Sequence, residues 1–137
     1  MSAENASVVE RFMEKGIRLT PQRISVYKYL LAHRTHPTVD TVYRHLKNEN
    51  PSLSKTTIYN TVEALSQAGL VRIILSEEGE ARLDAYMDLH GHFFCVACGA
   101  VDDVPLDGCS FPDNFDQLEI SNIDVRLSGR CATCKDE

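Results

Sequence analysis

The chain has 137 residues, 43% of them hydrophobic, and a net charge of −6. That length suits one average domain or two small ones, and no apolar run approaches the ~20 residues needed to span a bilayer. Residues 1–82 carry eleven Lys and Arg against nine Asp and Glu, while residues 83–137 carry three against eleven, so any surface for nucleic acid would lie in the first part, where phosphate contact finds local positive charge.

The first part reads as helices. In NASVVERFMEKG, Val8, Val9, Phe12 and Met13 recur at helical spacing, and Gly16 is a stop signal. In LTPQRISVYKYLLAH, Thr20 is the N-cap and Pro21 takes the first helical position, with Ile24, Tyr27, Leu30 and Leu31 on the apolar face. HPTVDTVYRHLKNENP repeats the scheme, with Thr38 as cap and Val39, Val42, Tyr43 and Leu46 inward. A fourth helix starts at the cap Ser54 and ends at Gly69, and LVRIILSEEGEARLDAY reads as strand, acidic turn, strand. Short helices followed by a hairpin are the order of a winged helix-turn-helix, in which the helix before the hairpin lies in the major groove. On that helix Lys55, Thr56, Thr57, Tyr59 and Asn60 suit phosphates or base edges, whereas Ile58, Val62 and Leu65 stay inside. An ordinary amphipathic helix with a solvated face has the same pattern.

The second part reads as strands: HFFCV, GAVDDVPL and LEISNIDVRLSG, the last with Ile123, Val125 and Leu127 on one face. CSFPDNFDQL reads as a short helix. A three-stranded sheet of this size has too little core to stand alone, which predicts a homodimer.

The N-terminal stretch lacks a secretory pattern, so the expected location is the cytoplasm, where cysteine pairs more often bind metal or do redox work than form disulfides. Cys95 and Cys98 make one C-x-x-C, and Cys131 and Cys134 make another. Two such knuckles point to a structural zinc site closed by four thiolates; paired disulfides or a redox C-x-x-C are the rival readings. Cys109 is left without a role. His90 and His92 project to one face of a strand, which makes half a metal site. Asp84, and one of Asp102 and Asp103, are candidate oxygen donors; a set of imidazole and carboxylate without thiolate suits Fe(II), Mn(II) or Zn(II). A surface cluster of polar side chains reads the same way.

GIRLTPQR, HPTVDTVY, TTIYNTVEALSQAGLV, RLD, HGHFFCVACGAVDD and CATC, in that order, resemble the ferric uptake regulator family of bacterial metal-dependent repressors. The resemblance runs nearly end to end and implies an α+β chain: an N-terminal winged helix-turn-helix DNA-binding domain over 1–82, a hinge over 83–88, and a small α/β dimerisation domain over 89–137 with the four-cysteine zinc site. Within the family the chain is most similar to the peroxide-sensing branch. That likeness implies a regulatory Fe(II) or Mn(II) held by His36, Asp84, His90, His92 and Asp103, where iron-sensing members tend to carry Glu at the last position. It implies Fe(II)-catalysed oxidation of His36 or His90 by hydrogen peroxide and release of double-stranded operator DNA. It also implies a reach of Arg18 into the minor groove; on the helix itself Tyr59 and Asn60 are the expected base contacts, with Lys55 and Thr57 at nearby phosphates. A third metal site of some iron-sensing members is not expected, because DLHGH and Ile123–Asp124–Val125 lack its histidines. Such a chain is a regulator, not an enzyme. The alternative within the family is an iron- or zinc-uptake regulator with reversible metal sensing; outside it stand a small metalloenzyme and a zinc-stapled DNA-binding module without sensing.

Overall fold

The computed structural model describes residues 3–76, 78–108, 110, 116–120 and 123–136, with side chains from residue 7 onward. Cys109 and most of the expected helix over CSFPDNFDQL lie outside the described residues. The chain divides into two compact units, Met1–Met87 and Asp88–Glu137.

The first unit contains α1 (Ala3–Glu14), α2 (Pro21–Ala32), α3 (Val39–Leu46), α4 (Lys55–Gln67) and an antiparallel hairpin of β1 (Arg72–Leu75) and β2 (Ala81–Asp84). This is a winged helix-turn-helix layout. Each of the last three helices begins on a hydroxyl cap: Thr20 accepts from the Arg23 amide, Thr38 from Thr41 and Ser54 from Thr57. Each cap satisfies one of the amides that a helix start leaves unpaired, worth about 1 kcal/mol apiece. Gly69 ends α4 with φ 77°, a left-handed conformation that only glycine adopts freely.

The core of this unit is continuous. Val8, Phe12, Val26, Tyr27, Leu30, Val39, Val42, Ile58, Val62, Leu65 and Leu83 are all buried. The rings of Phe12 and Tyr27 lie 5.4 Å apart, and Arg11 donates to the Tyr27 hydroxyl at 3.0 Å, which satisfies the polar end of a buried ring. Met13 departs from expectation and is 68% exposed. At 100° per residue it stands well away from the direction shared by Val8 and Phe12.

The second unit is a three-stranded sheet in the order β4-β3-β5: β3 is Gly91–Cys95, β4 Val101–Val104 and β5 Arg126–Gly129. β4 pairs antiparallel with β3 through a short turn, and β5 returns to pair parallel with it. Phe94, Cys95, Val101 and Cys134 are its buried apolar residues among those described. Leu127 is 43% exposed. Its register partner is Phe93, while the Arg126 guanidinium covers the Phe94 ring at 3.6 Å on the other face.

Candidate metal centres and recognition helix

β3 ends on Cys95, and the turn after it, closed by Gly99 with φ 78°, brings Cys98 round. Because β5 runs parallel to β3, with Gly129 opposite Cys95, the chain leaves β5 at the same end of the sheet. Cys131 and Cys134 then occupy a second turn, with the Cys134 amide bonded to the Cys131 carbonyl at 3.0 Å. All four sulfurs lie within 4.8 Å of one another, and those of Cys98 and Cys131 are 3.8 Å apart. Four sulfurs about 2.3 Å from one zinc at tetrahedral angles would be about 3.8 Å apart, so the cluster fits the ion.

The local electrostatics agree. Cys95 Sγ accepts the amides of Cys131 and Cys98, both at 3.4 Å, and these donors hold its thiol down at about 6. Hydrogen bonding to Cys131, followed by burial and the nearby sulfurs of Cys95 and Cys98, pushes Cys134 up to about 12. Cys95 forms its thiolate readily, whereas Cys134 resists a second charge close by; a divalent cation removes that conflict by replacing the protons.

The imidazoles and carboxylates divide between the two units. In the first, His36 Nε2 faces Asp84 Oδ2 at 3.7 Å, and both side chains are buried. Asp84 Oδ1 accepts the Tyr86 amide at 2.8 Å, which fixes the carboxylate and turns its other oxygen to the histidine. His36 has φ 56°, the single positive value among the described non-glycine residues. Such a conformation costs about 1–3 kcal/mol and persists only where neighbours impose it. Here β2 imposes it: Arg82 donates to the His36 carbonyl at 2.8 Å, and the Leu83 amide donates to the Pro37 carbonyl at 2.9 Å.

In the second unit His90 Nδ1 meets the Asp88 carbonyl at 2.7 Å. A ring proton donated there leaves Nε2 to act as the ligand atom. His90 Nε2 lies 3.0 Å from His92 Nε2 and 3.1 Å from Asp103 Oδ1, which is 3.7 Å from His92 Nε2. Two nitrogens each about 2.1 Å from one ion, at a right angle, would be about 3.0 Å apart. These three groups therefore suit one metal ion. Asp103 stands opposite His92 in the β3–β4 register, while Asp102 stands opposite Phe93 and is exposed; only one of the paired aspartates joins the histidines. Gly91 between them is packed tightly: an added Cβ would lie 3.3 Å from the Val125 carbonyl oxygen.

On α4, Tyr59 is 59% exposed, and Thr56, Asn60 and Glu63 are exposed as well. Thr57 is half-buried, with its amide and hydroxyl both engaged by Ser54. Lys55 is ion-paired to Asp40, a residue the sequence reading passed over. Arg18 is exposed and lines an open cleft of about 380 Å³ together with Lys15, Arg23 and Gln67. Arg82 was also missed; its only signal was its place in RLD, two residues ahead of a candidate ligand.

Residues 14–112 match the family model of the Ferric uptake regulator family. The peroxide operon regulator of Bacillus subtilis is 30% identical over 138 aligned residues, 96% of this chain and 93% of that protein. The peroxide-responsive repressor PerR of Staphylococcus epidermidis is 31% identical over 100% of this chain and 99% of its own length. Among solved structures, the Campylobacter jejuni peroxide stress regulator superposes with a TM-score of 0.70 at 26% identity, covering 98% of this chain and 100% of its own. The Helicobacter pylori ferric uptake regulator reaches 0.74 at 17% identity over 97% and 95%, a likeness of fold.

Proposed function

We propose that this chain, which belongs to the ferric uptake regulator family, is a repressor that holds operator DNA as a metal-loaded homodimer and releases it when hydrogen peroxide oxidises a ligand histidine. One observation carries the reading: the ligand types are sorted. Four thiolates gather in one cluster, and the set of imidazoles and carboxylates contains no sulfur. The thiolates take structural Zn(II); the oxygen and nitrogen donors suit Fe(II) or Mn(II). Relatives named for peroxide response, and Asp rather than Glu at position 103, support the peroxide-sensing branch.

On this reading His36, Asp84, His90, His92 and Asp103 share one regulatory ion. The first two belong to the unit over residues 1–87 and the other three to residues 88–137, with residues 83–88 as the hinge. An ion held by all five fixes the angle between the two units. In a dimer that angle sets the spacing of two α4 helices, which must match successive major grooves. Tyr59 and Asn60 read base edges, Lys55 and Thr57 sit against phosphates, and Arg18 reaches the adjacent minor groove. Exposed Val96, Leu118 and Leu127 in the second unit are apolar surface that a second copy would cover.

When bound, Fe(II) supplies the reaction with hydrogen peroxide that adds oxygen to His36 or His90. An oxidised imidazole is a poor donor, so the five-residue set falls apart, the angle is freed and the DNA-competent arrangement loses its advantage. The sensor is consumed, not turned over, which makes the chain a regulator rather than an enzyme. Its DNA partner assigns it to the cytoplasm.

The test is peptide mapping of the Fe(II)-loaded protein before and after brief peroxide exposure, with the Mn(II) form alongside. One added oxygen on the peptide holding His36 or His90, absent from the Mn(II) form, is the expected result. Unmodified histidines in the iron form would sink the peroxide mechanism and leave a reversible metal-uptake regulator.

A further inference from the structure

The helix assigned to the major groove has a single basic side chain. Within Lys55–Gln67 the only Lys or Arg is Lys55, its first residue. That ammonium already holds an anion: Lys55 Nζ lies 2.6 Å from Oδ1 of Asp40, in the first turn of α3. Asp40 Oδ2 takes the Arg44 guanidinium at 3.3 Å. Lys47 and Lys55 approach the Tyr43 ring at 5.8 and 5.6 Å, so α3 and the start of α4 present three cations around one carboxylate. Lys55 and Asp40 are both about half exposed, 52% and 55%, and a phosphate arriving from solvent can compete for the same ammonium.

We propose that Asp40 is an internal stand-in for a DNA phosphate, occupying Lys55 in the free protein and weakening binding to duplex of any sequence. The proposal rests on the reading that α4 docks on DNA. Its physics is exchange. A free lysine gains an ion pair and releases a counterion when it meets a phosphate. A lysine already paired gives up one partner to take another, and the displaced carboxylate then stands near the phosphate chain. Asp40 is a permanent competitor, because the hydrogen bond and charge of Lys55 hold its carboxyl below the usual carboxylate range. The pair lowers affinity for every duplex by about the same factor, because it acts on a phosphate contact and leaves base contacts such as those assigned to Tyr59 and Asn60 untouched.

The experiment is a double-mutant cycle on the full-length, zinc- and Mn(II)-loaded protein. Binding to a fluorescent random-sequence duplex of about three helical turns is followed by anisotropy across a salt series. Asp40→Asn should tighten binding about two- to fivefold near ~0.1 M salt and steepen the dependence of log affinity on log salt by about one. In a Lys55→Gln background the same change should lose most of that gain. Retained zinc and an unchanged thermal midpoint establish that each variant is folded; should Asp40→Asn fail there, Asp40→Ser takes its place. Unchanged or weaker binding in a folded Asp40 variant, or a gain that persists in full without Lys55, overturns the proposal while the wild type still binds. A wild-type protein that binds no duplex at any salt overturns both this proposal and the DNA-binding reading beneath it.

Discussion

Replacing Arg82 with alanine should weaken the regulatory metal about ten- to a hundredfold while leaving zinc bound. Arg82 donates to the backbone carbonyl of His36 at 2.8 Å, and with the Leu83 amide on the Pro37 carbonyl it clamps the left-handed backbone of φ 56°. A hydrogen bond from a charged donor is worth about 1.5–3 kcal/mol, the same order as the ~1–3 kcal/mol of strain it restrains. Without it the His36 backbone relaxes toward ordinary φ values, and the imidazole leaves its place 3.7 Å from Asp84. At ~1.4 kcal/mol per decade of affinity, the loss is about one to two decades, which is the range seen when groups that orient metal ligands are removed. The assay is Mn(II) titration of the zinc-loaded protein followed by electron paramagnetic resonance, with Arg82→Lys as the variant that keeps charge but loses the planar fork. Manganese binding as tight as wild type in Arg82→Ala, together with a lowered thermal midpoint, would refute the reasoning and make Arg82 a structural residue only.

Two further outcomes follow from the second unit. Cys98→Ser, or removal of zinc by a strong chelator under reducing conditions, should abolish hydrogen-exchange protection at Phe93 and Leu127 while helical circular dichroism persists; a sheet that stays protected without zinc contradicts the four-thiolate assignment. Gly91→Val should lower Mn(II) affinity more than Gly91→Ala, because even the first added carbon meets the Val125 carbonyl at 3.3 Å and would push off the segment that bonds the His92 amide at 3.0 Å; equal affinity for the two variants would show that the strand yields without moving the histidines.

Legibility in the sequence followed the range of the interaction. Thr20, Thr38 and Ser54 announced their helices because a cap bonds an amide three residues away, and each does so here. The hairpin was readable from an acidic turn between two β-rich runs. The two C-x-x-C motifs were readable as one cluster because four thiolates have few other uses together. The parallel pairing of β5 with β3 was not readable, since it joins segments more than thirty residues apart and depends on register alone. Nor was the conformation of His36: no local residue demands a positive φ there, and the clamp comes from Arg82 and Leu83. Lys55 read as a free phosphate contact because its captor, Asp40, lies on a different helix.

The central strand β3 carries a member of each cluster. His92 and Cys95 lie three positions apart on it, opposite Arg126 and Gly129 of the same neighbouring strand. A shift in that register would therefore disturb both clusters at once, and the thiolate cluster joins the turns that follow β3 and β5. On the proposed reading zinc clamps the turn between β3 and β4 through Cys95 and Cys98, and so supports the hairpin in which His92 stands opposite Asp103. On that reading a newly made chain in a zinc-starved cell would be a poor gauge of iron and of oxidant alike, so the supply of one metal conditions the measurement of another.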